Sequence, residues 1–147
     1  MPSLQDRLRA ELITARKAQD KPLTLLLGTI LSDIKNREIE LRRTPSDDEV
    51  IDVLRKGVKK RRESIAMYTQ AGRTELAAQE TAEVAALERF LPAVATDDEI
   101  RTAVRATIAA GAIGVGPVMA KVMPQFKGRA EGGTINRVVR EELGKAE

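Results

Sequence analysis

Two groups of residues in this chain have the types and spacing for polar chemistry. The first is Arg61, Arg62, Glu80 and Glu83, four charges at or beside positions where helical periodicity calls for apolar side chains. Carboxylates on a core stripe need cationic partners, so a partly buried Arg/Glu network is expected. It would serve either as a polar ligand site or as a clamp that fixes the register of two helices. The clamp is favoured, because two carboxylates without a nucleophile or metal set are poor catalysts. The second group is Lys121, Lys127, Gly128, Arg129, Asn136 and Arg137, with Arg140 close behind, set around a loop that feeds the last helix. Free backbone N–H groups at a helix start and nearby cations can hold phosphate, which makes this an RNA-backbone site or an ordinary capped turn with exposed basic residues. Asn136 is expected to bond the preceding loop rather than a base.

With neither Cys nor His, the chain lacks a thiolate nucleophile, a disulfide framework and the commonest general base and zinc ligand. We therefore expect no catalytic residue, no metal site and no cofactor. Gly128 to Gly133 has the spacing of a phosphate loop, but Thr134 follows where that motif needs Lys, and no strand precedes it. Gly114-Val115-Gly116 fails as a dinucleotide fingerprint because Met119 stands where the third glycine belongs.

A net charge of +3 over 147 residues is compatible with a polyanionic partner without demanding one. One Tyr and two Phe leave no aromatic platform for stacking splayed bases, so RNA recognition would go through shape and backbone. Charges run through the first 20 residues, and the greasy stretch from Leu23 to Leu31 is too short to span a bilayer. A cytoplasmic protein without membrane partners is expected.

The elements that must position these residues read as all-α, because helix start and stop signals recur and no stretch alternates with period two. Ser3 caps a first helix with Leu4, Leu8, Leu12 and Ala15 on one side, and Pro22 opens a second running through Ile30, Ile34 and Leu41. Ser46-Asp47-Asp48-Glu49 is a capping box for a long third helix ending at Gly72; Thr74 starts a fourth that ends at Leu91-Pro92. Thr96 to Glu99 is a second capping box, for a helix stopping at Gly111. A short helix from Pro117 to about Phe126, a loop from Gly128 to Gly133 and a last helix capped by Thr134 complete the chain. This predicts an N-terminal domain of about four helices, residues 1–92, and a three-helix tail, residues 93–147, with a hinge between Phe90 and Thr96.

Antiparallel pairing of the third and fourth helices about Gly72 places Arg62 opposite Glu83. Leu76, Leu87 and Leu91 define the fourth helix's apolar stripe. Lys56, Lys59 and Lys60 project from the outer face of the third helix, as a phosphate-contacting ridge or simply as a solvated face. Gly57 inside that helix would permit close approach of a neighbouring backbone.

Val122-Met123, Lys127-Gly128-Arg129-Ala130, Asn136 and Leu143 together resemble the C-terminal helical domain that GatB/YqeY-family proteins share with the B subunit of the tRNA-dependent amidotransferase. The resemblance extends upstream through Lys59-Lys60-Arg61-Arg62-Glu63-Ser64, Ala71-Gly72-Arg73, Glu80, Glu83 and Phe90-Leu91-Pro92. It implies a stand-alone YqeY-like protein, with tRNA as the partner class and an aminoacyl-tRNA synthetase or an amidotransferase as the associated enzyme. In the amidotransferase B subunit the tail meets tRNA, and the matching residues here are Lys127, Gly128, Arg129, Ala130 and Asn136. Two departures stand out: Val115-Gly116-Pro117 replaces an acidic residue and glycine, and Gly28 sits where arginine is frequent. Both would weaken RNA or partner contact.

The resulting expectation is a non-catalytic tRNA-binding or tRNA-enzyme accessory module. The alternative is a protein-interaction module that docks an enzyme through an apolar tail face around Met119 and Met123. Carbon–nitrogen ligation with glutamine as amido donor, an activity of the relatives, is least favoured, because the catalytic core of the amidotransferase B subunit has no counterpart in this length.

Overall fold

A computed structural model describes residues 1–146 and contains seven α-helices and no strand among them. The expected all-α class is what the chain adopts. It divides into two compact units, Met1–Leu91 and Pro92–Glu147, each with a hydrophobic core of its own.

In the first unit, α1 (Leu4–Lys17) is capped by Ser3, whose Oγ accepts from the Asp6 N–H at 3.1 Å. α2 (Lys21–Leu41) starts at Asp20, whose carboxylate accepts from the Leu23 N–H, and it ends on Arg42 in a left-handed conformation. α3 (Asp47–Gln70) carries the full capping box: Ser46 Oγ accepts from the Glu49 N–H, and the Glu49 carboxylate accepts from the Ser46 N–H. Asp47 also accepts from the Leu4 N–H at 2.9 Å, joining the starts of α1 and α3. The core is built from Leu8, Leu27, Ile30, Ile34, Val50, Leu54 and Leu87, all inaccessible to solvent.

Gly72, at φ 73°, turns α3 into α4 (Thr74–Glu88). α4 stops three residues before the expected Leu91. Phe90 and Leu91 instead make tight bonds to the carbonyls three residues back, as suits a segment whose next residue, Pro92, excludes helix from its predecessor.

The tail unit holds α5 (Asp97–Ala109), α6 (Val115–Val122), a 3-10 turn (Met123–Phe126) and α7 (Gly132–Ala146) around Ile100, Val104, Val118, Val122, Ile135, Val138 and Val139. Three expectations change here. α6 begins two residues before Pro117 and ends at Val122, because Pro124 lacks an N–H and its ring would strike the carbonyl one turn earlier. Thr134 does not cap α7: the helix starts at Gly132, with the Ile135 N–H bonded to the Glu131 carbonyl, so Thr134 lies within the first turn. The Thr96 capping box is only half made. Thr96 Oγ1 accepts from the Glu99 N–H at 3.1 Å, while the Glu99 carboxylate bonds Arg129.

Candidate nucleic-acid interface and charged clusters

Arg61 is the charged residue that α3 turns inward, its side chain 15% exposed. Its Nε donates to Glu83 at 3.0 Å and lies 4.0 Å from Glu80, and Nη1 donates to the Gly57 carbonyl at 3.1 Å. Arg62 is 63% exposed and pairs with Glu88. The expected Arg62–Glu83 pair is thus replaced by Arg61–Glu83 and Arg62–Glu88. The cause is the apolar stripe of α4, which is Ala77, Val84 and Leu87; Leu76, expected on it, is 37% exposed. That rotation carries Glu80 and Glu83 to the side Arg61 reaches.

One guanidinium therefore serves two carboxylates. Glu80 Oε2 is buried without a hydrogen-bond partner. Burial, then the Glu83 charge and a hydrogen bond with the Glu83 carboxyl, raise the Glu80 pKa above the usual carboxylate range. Gly57 leaves close space beside this cluster, against side chains rather than a neighbouring backbone. A Cβ there would stand 3.3 Å from both Arg61 Nη1 and Ile30 Cδ1. The arrangement links α3 to α4 and offers no nucleophile.

In the tail, four of the five arginines, Arg101, Arg105, Arg129 and Arg137, are held by carboxylates. Arg129 donates to Glu99 at 2.6 Å and to the Ala93 carbonyl at 3.1 Å, and its guanidinium lies 6.0 Å from the Phe126 ring centroid. Its own carbonyl accepts from the Ala95 N–H at 2.8 Å. Arg129 thereby ties the loop before α7 to the segment before α5. Arg137 bridges Asp97 at 2.8 Å and Glu141 at 3.0 Å, and these bonds raise its pKa. Asn136 accepts from Arg140 at 2.8 Å, one helical turn on, rather than bonding the preceding loop as expected. Lys121, in the last turn of α6, and Lys127, directly after the 3-10 turn, are exposed. Gly128 has φ 76°, the left-handed turn that directs the chain toward α7.

The largest charged cluster of the tail escaped sequence reasoning. Glu142 is 6% exposed and accepts from Arg101 at 2.8 Å, Arg105 at 2.9 Å and Lys145 at 3.3 Å. Hydrogen bonds from Arg105 and then Arg101 hold its pKa at about 2. The signal was available, because Glu142 falls on the stripe that starts at Ile135 and continues through Val138 and Val139. Arg105, Ile108, Ala109, Glu142 and Lys145 line an open groove of about 300 Å³. Of the methionines expected to form a docking face, Met119 packs against the tail core and Met123 is 43% exposed. Among the described residues no helix is long and apolar enough to cross a membrane, and no acidic cluster is placed to hold a metal ion.

The pattern of the family described as Yqey-like protein matches residues 5–143. The chain belongs to this YqeY-like family. The family is related to the tail of the amidotransferase B subunit, as the resemblance implied. Among the relatives of this YqeY-like chain is "Uncharacterized protein C22F3.15" of Schizosaccharomyces pombe, 32% identical over 63% of the chain and 75% of that protein. Two others are both named "Altered inheritance of mitochondria protein 41, mitochondrial". The Pyrenophora tritici-repentis protein is 27% identical over 84% of this chain and 71% of its own length. The Eremothecium gossypii protein is 32% identical over 63% of this chain, a match that spans about half of that relative, 52%.

Proposed function

We propose that this YqeY-like chain is a non-catalytic accessory module that binds tRNA, alone or beside a tRNA-handling enzyme. Its tail would meet the RNA backbone through Lys121 and Lys127, with the Gly128 turn and the start of α7 presenting backbone N–H groups. The observation that carries this reading is the exposure of two lysines, Lys121 and Lys127, on either side of the 3-10 turn, next to the Gly128 turn that leads to α7. Arg101, Arg105, Arg129 and Arg137 are bound to carboxylates and hold the helices together. The relation of the family to a tRNA-contacting tail supplies the ligand class. Arg129 and Arg137 then act by shaping the surface. Asn136 acts likewise, by fixing Arg140.

Fluorescence anisotropy with labelled tRNA tests this. Binding should weaken steeply with salt, and Lys121→Ala and Lys127→Ala should each lower affinity and reduce the salt slope by about one while leaving the melting temperature unchanged. Folded protein that fails to bind tRNA at about 50 mM salt, where backbone contacts are strongest, would sink the proposal.

A further inference from the structure

Six of the eight residues from Arg55 to Arg62 are Lys or Arg, a density typical of polyanion-binding segments. The helix sorts them. Arg61 turns inward to Glu83 and Arg62 is taken by Glu88. Lys56, Lys59 and Lys60 stand exposed on the outer face within little more than one turn, and their ammonium groups make no hydrogen bond or ion pair among the described residues. Asp52 and Glu63 lie on the same face, one turn from Lys56 and from Lys59, yet neither closes an ion pair with them. Lys60 acts on Glu80 only through space.

We propose that this face of α3 is a second RNA-backbone contact surface, in the N-terminal unit and separate from the tail residues. The inference rests on the tRNA reading above. Three lysines without carboxylate partners can neutralise phosphates at no cost in internal ion pairs, and as point charges they suit contact that ignores base identity. A lipid surface fits less well, because Leu54 and Val58 beside the lysines face the core, and the exposed apolar side chain on this face, Met67, stands alone about two turns beyond Lys60.

The test compares the full chain with two variants, Lys56→Gln/Lys59→Gln/Lys60→Gln and Lys121→Gln/Lys127→Gln, for tRNA binding from about 50 to 300 mM salt. The α3 variant should bind roughly tenfold or more weakly at low salt. Its salt slope should fall by about 0.9 for each phosphate that the lysines no longer neutralise, with an unchanged far-UV spectrum. Acetylation footprinting of the wild-type chain should show tRNA protecting Lys56, Lys59 and Lys60, a readout that does not depend on any variant folding. Unprotected lysines, or an α3 variant that binds normally while the tail variant is impaired, would overturn this inference and leave the tail reading standing. Wild-type protein that ignores tRNA would overturn both. So would lysine-dependent binding to phosphatidylserine vesicles or to an acidic peptide without tRNA binding.

Discussion

Arg61 and Arg62 stand one residue apart, a rotation of about 100° around α3, and that step separates a structural residue from a surface one. With its side chain 15% exposed and bonded to Glu83 and Gly57, Arg61 should be costly to remove. Arg61→Ala should destabilise by an amount between the ~0–1 kcal/mol of a surface pair and the ~3–5 kcal/mol of a buried one. Arg62→Ala should cost no more than about 1 kcal/mol, and urea denaturation of the two variants measures the difference. Glu80 makes the opposite case. Its pKa is raised in the folded protein, so the folded state binds a proton more tightly than the unfolded chain, whose Glu titrates near ~4.3. The stabilisation this gives is complete below that value and is lost as pH rises through the folded pKa. Glu80→Gln should therefore be more stable than the parent at pH 7, with the gain shrinking as the pH falls toward about 4. A variant less stable at every pH would show that Arg61 needs both carboxylates. Sequence alone placed both arginines on the flanks of the α3 stripe. Choosing between them required the rotation of α4, which Ala77 sets and no local rule gives.

At the scale of the element, helix starts were legible wherever a side chain caps its own backbone, as at Ser3, Ser46 and Thr96. The start of α7 was not, because it rests on the Glu131 carbonyl and two glycines that carry no cap signature. The tail's ion pairs were equally hidden. Glu99–Arg129 and Asp97–Arg137 join residues 30 and 40 positions apart, so nothing in the spacing along one helix reveals them. They commit the first-turn carboxylates of α5, which read from sequence as part of a capping box, to holding α7 and the loop before it. Arg129→Ala should accordingly lower the melting temperature, whereas tRNA affinity per folded molecule should change little; the reverse would make Arg129 a contact residue. Glu142 joins α7 to α5, and its folded pKa is held at about 2, below the unfolded value. The stability it supplies is present above ~4.3 and is lost as pH falls toward about 2. Glu142→Gln should thus be destabilised at pH 7, and acid titration by circular dichroism should bring the two proteins together near pH 2.

For the whole molecule, family membership and the all-helical fold were readable from motif order and periodicity, whereas the partner remains a proposal supported by the placement of the cations. An accessory role carries a further expectation. The purified chain should not convert glutamyl-tRNA to glutaminyl-tRNA in the presence of glutamine and ATP, since its Arg/Glu clusters contain no nucleophile paired with a base. Turnover by protein free of amidotransferase would refute this. The division into two units also has a spectroscopic consequence. The chain has no Trp, and its one Tyr, Tyr68, belongs to α3, so the tail's aromatic content is Phe126 alone. Tyrosine emission therefore follows the first unit and is blind to the second, while far-UV circular dichroism sums the helices of both. Recorded on one heated sample, coincident curves would mean that both cores melt in a single transition. A gap between them would resolve two, and would assign the earlier or later one to the tail without a single mutation.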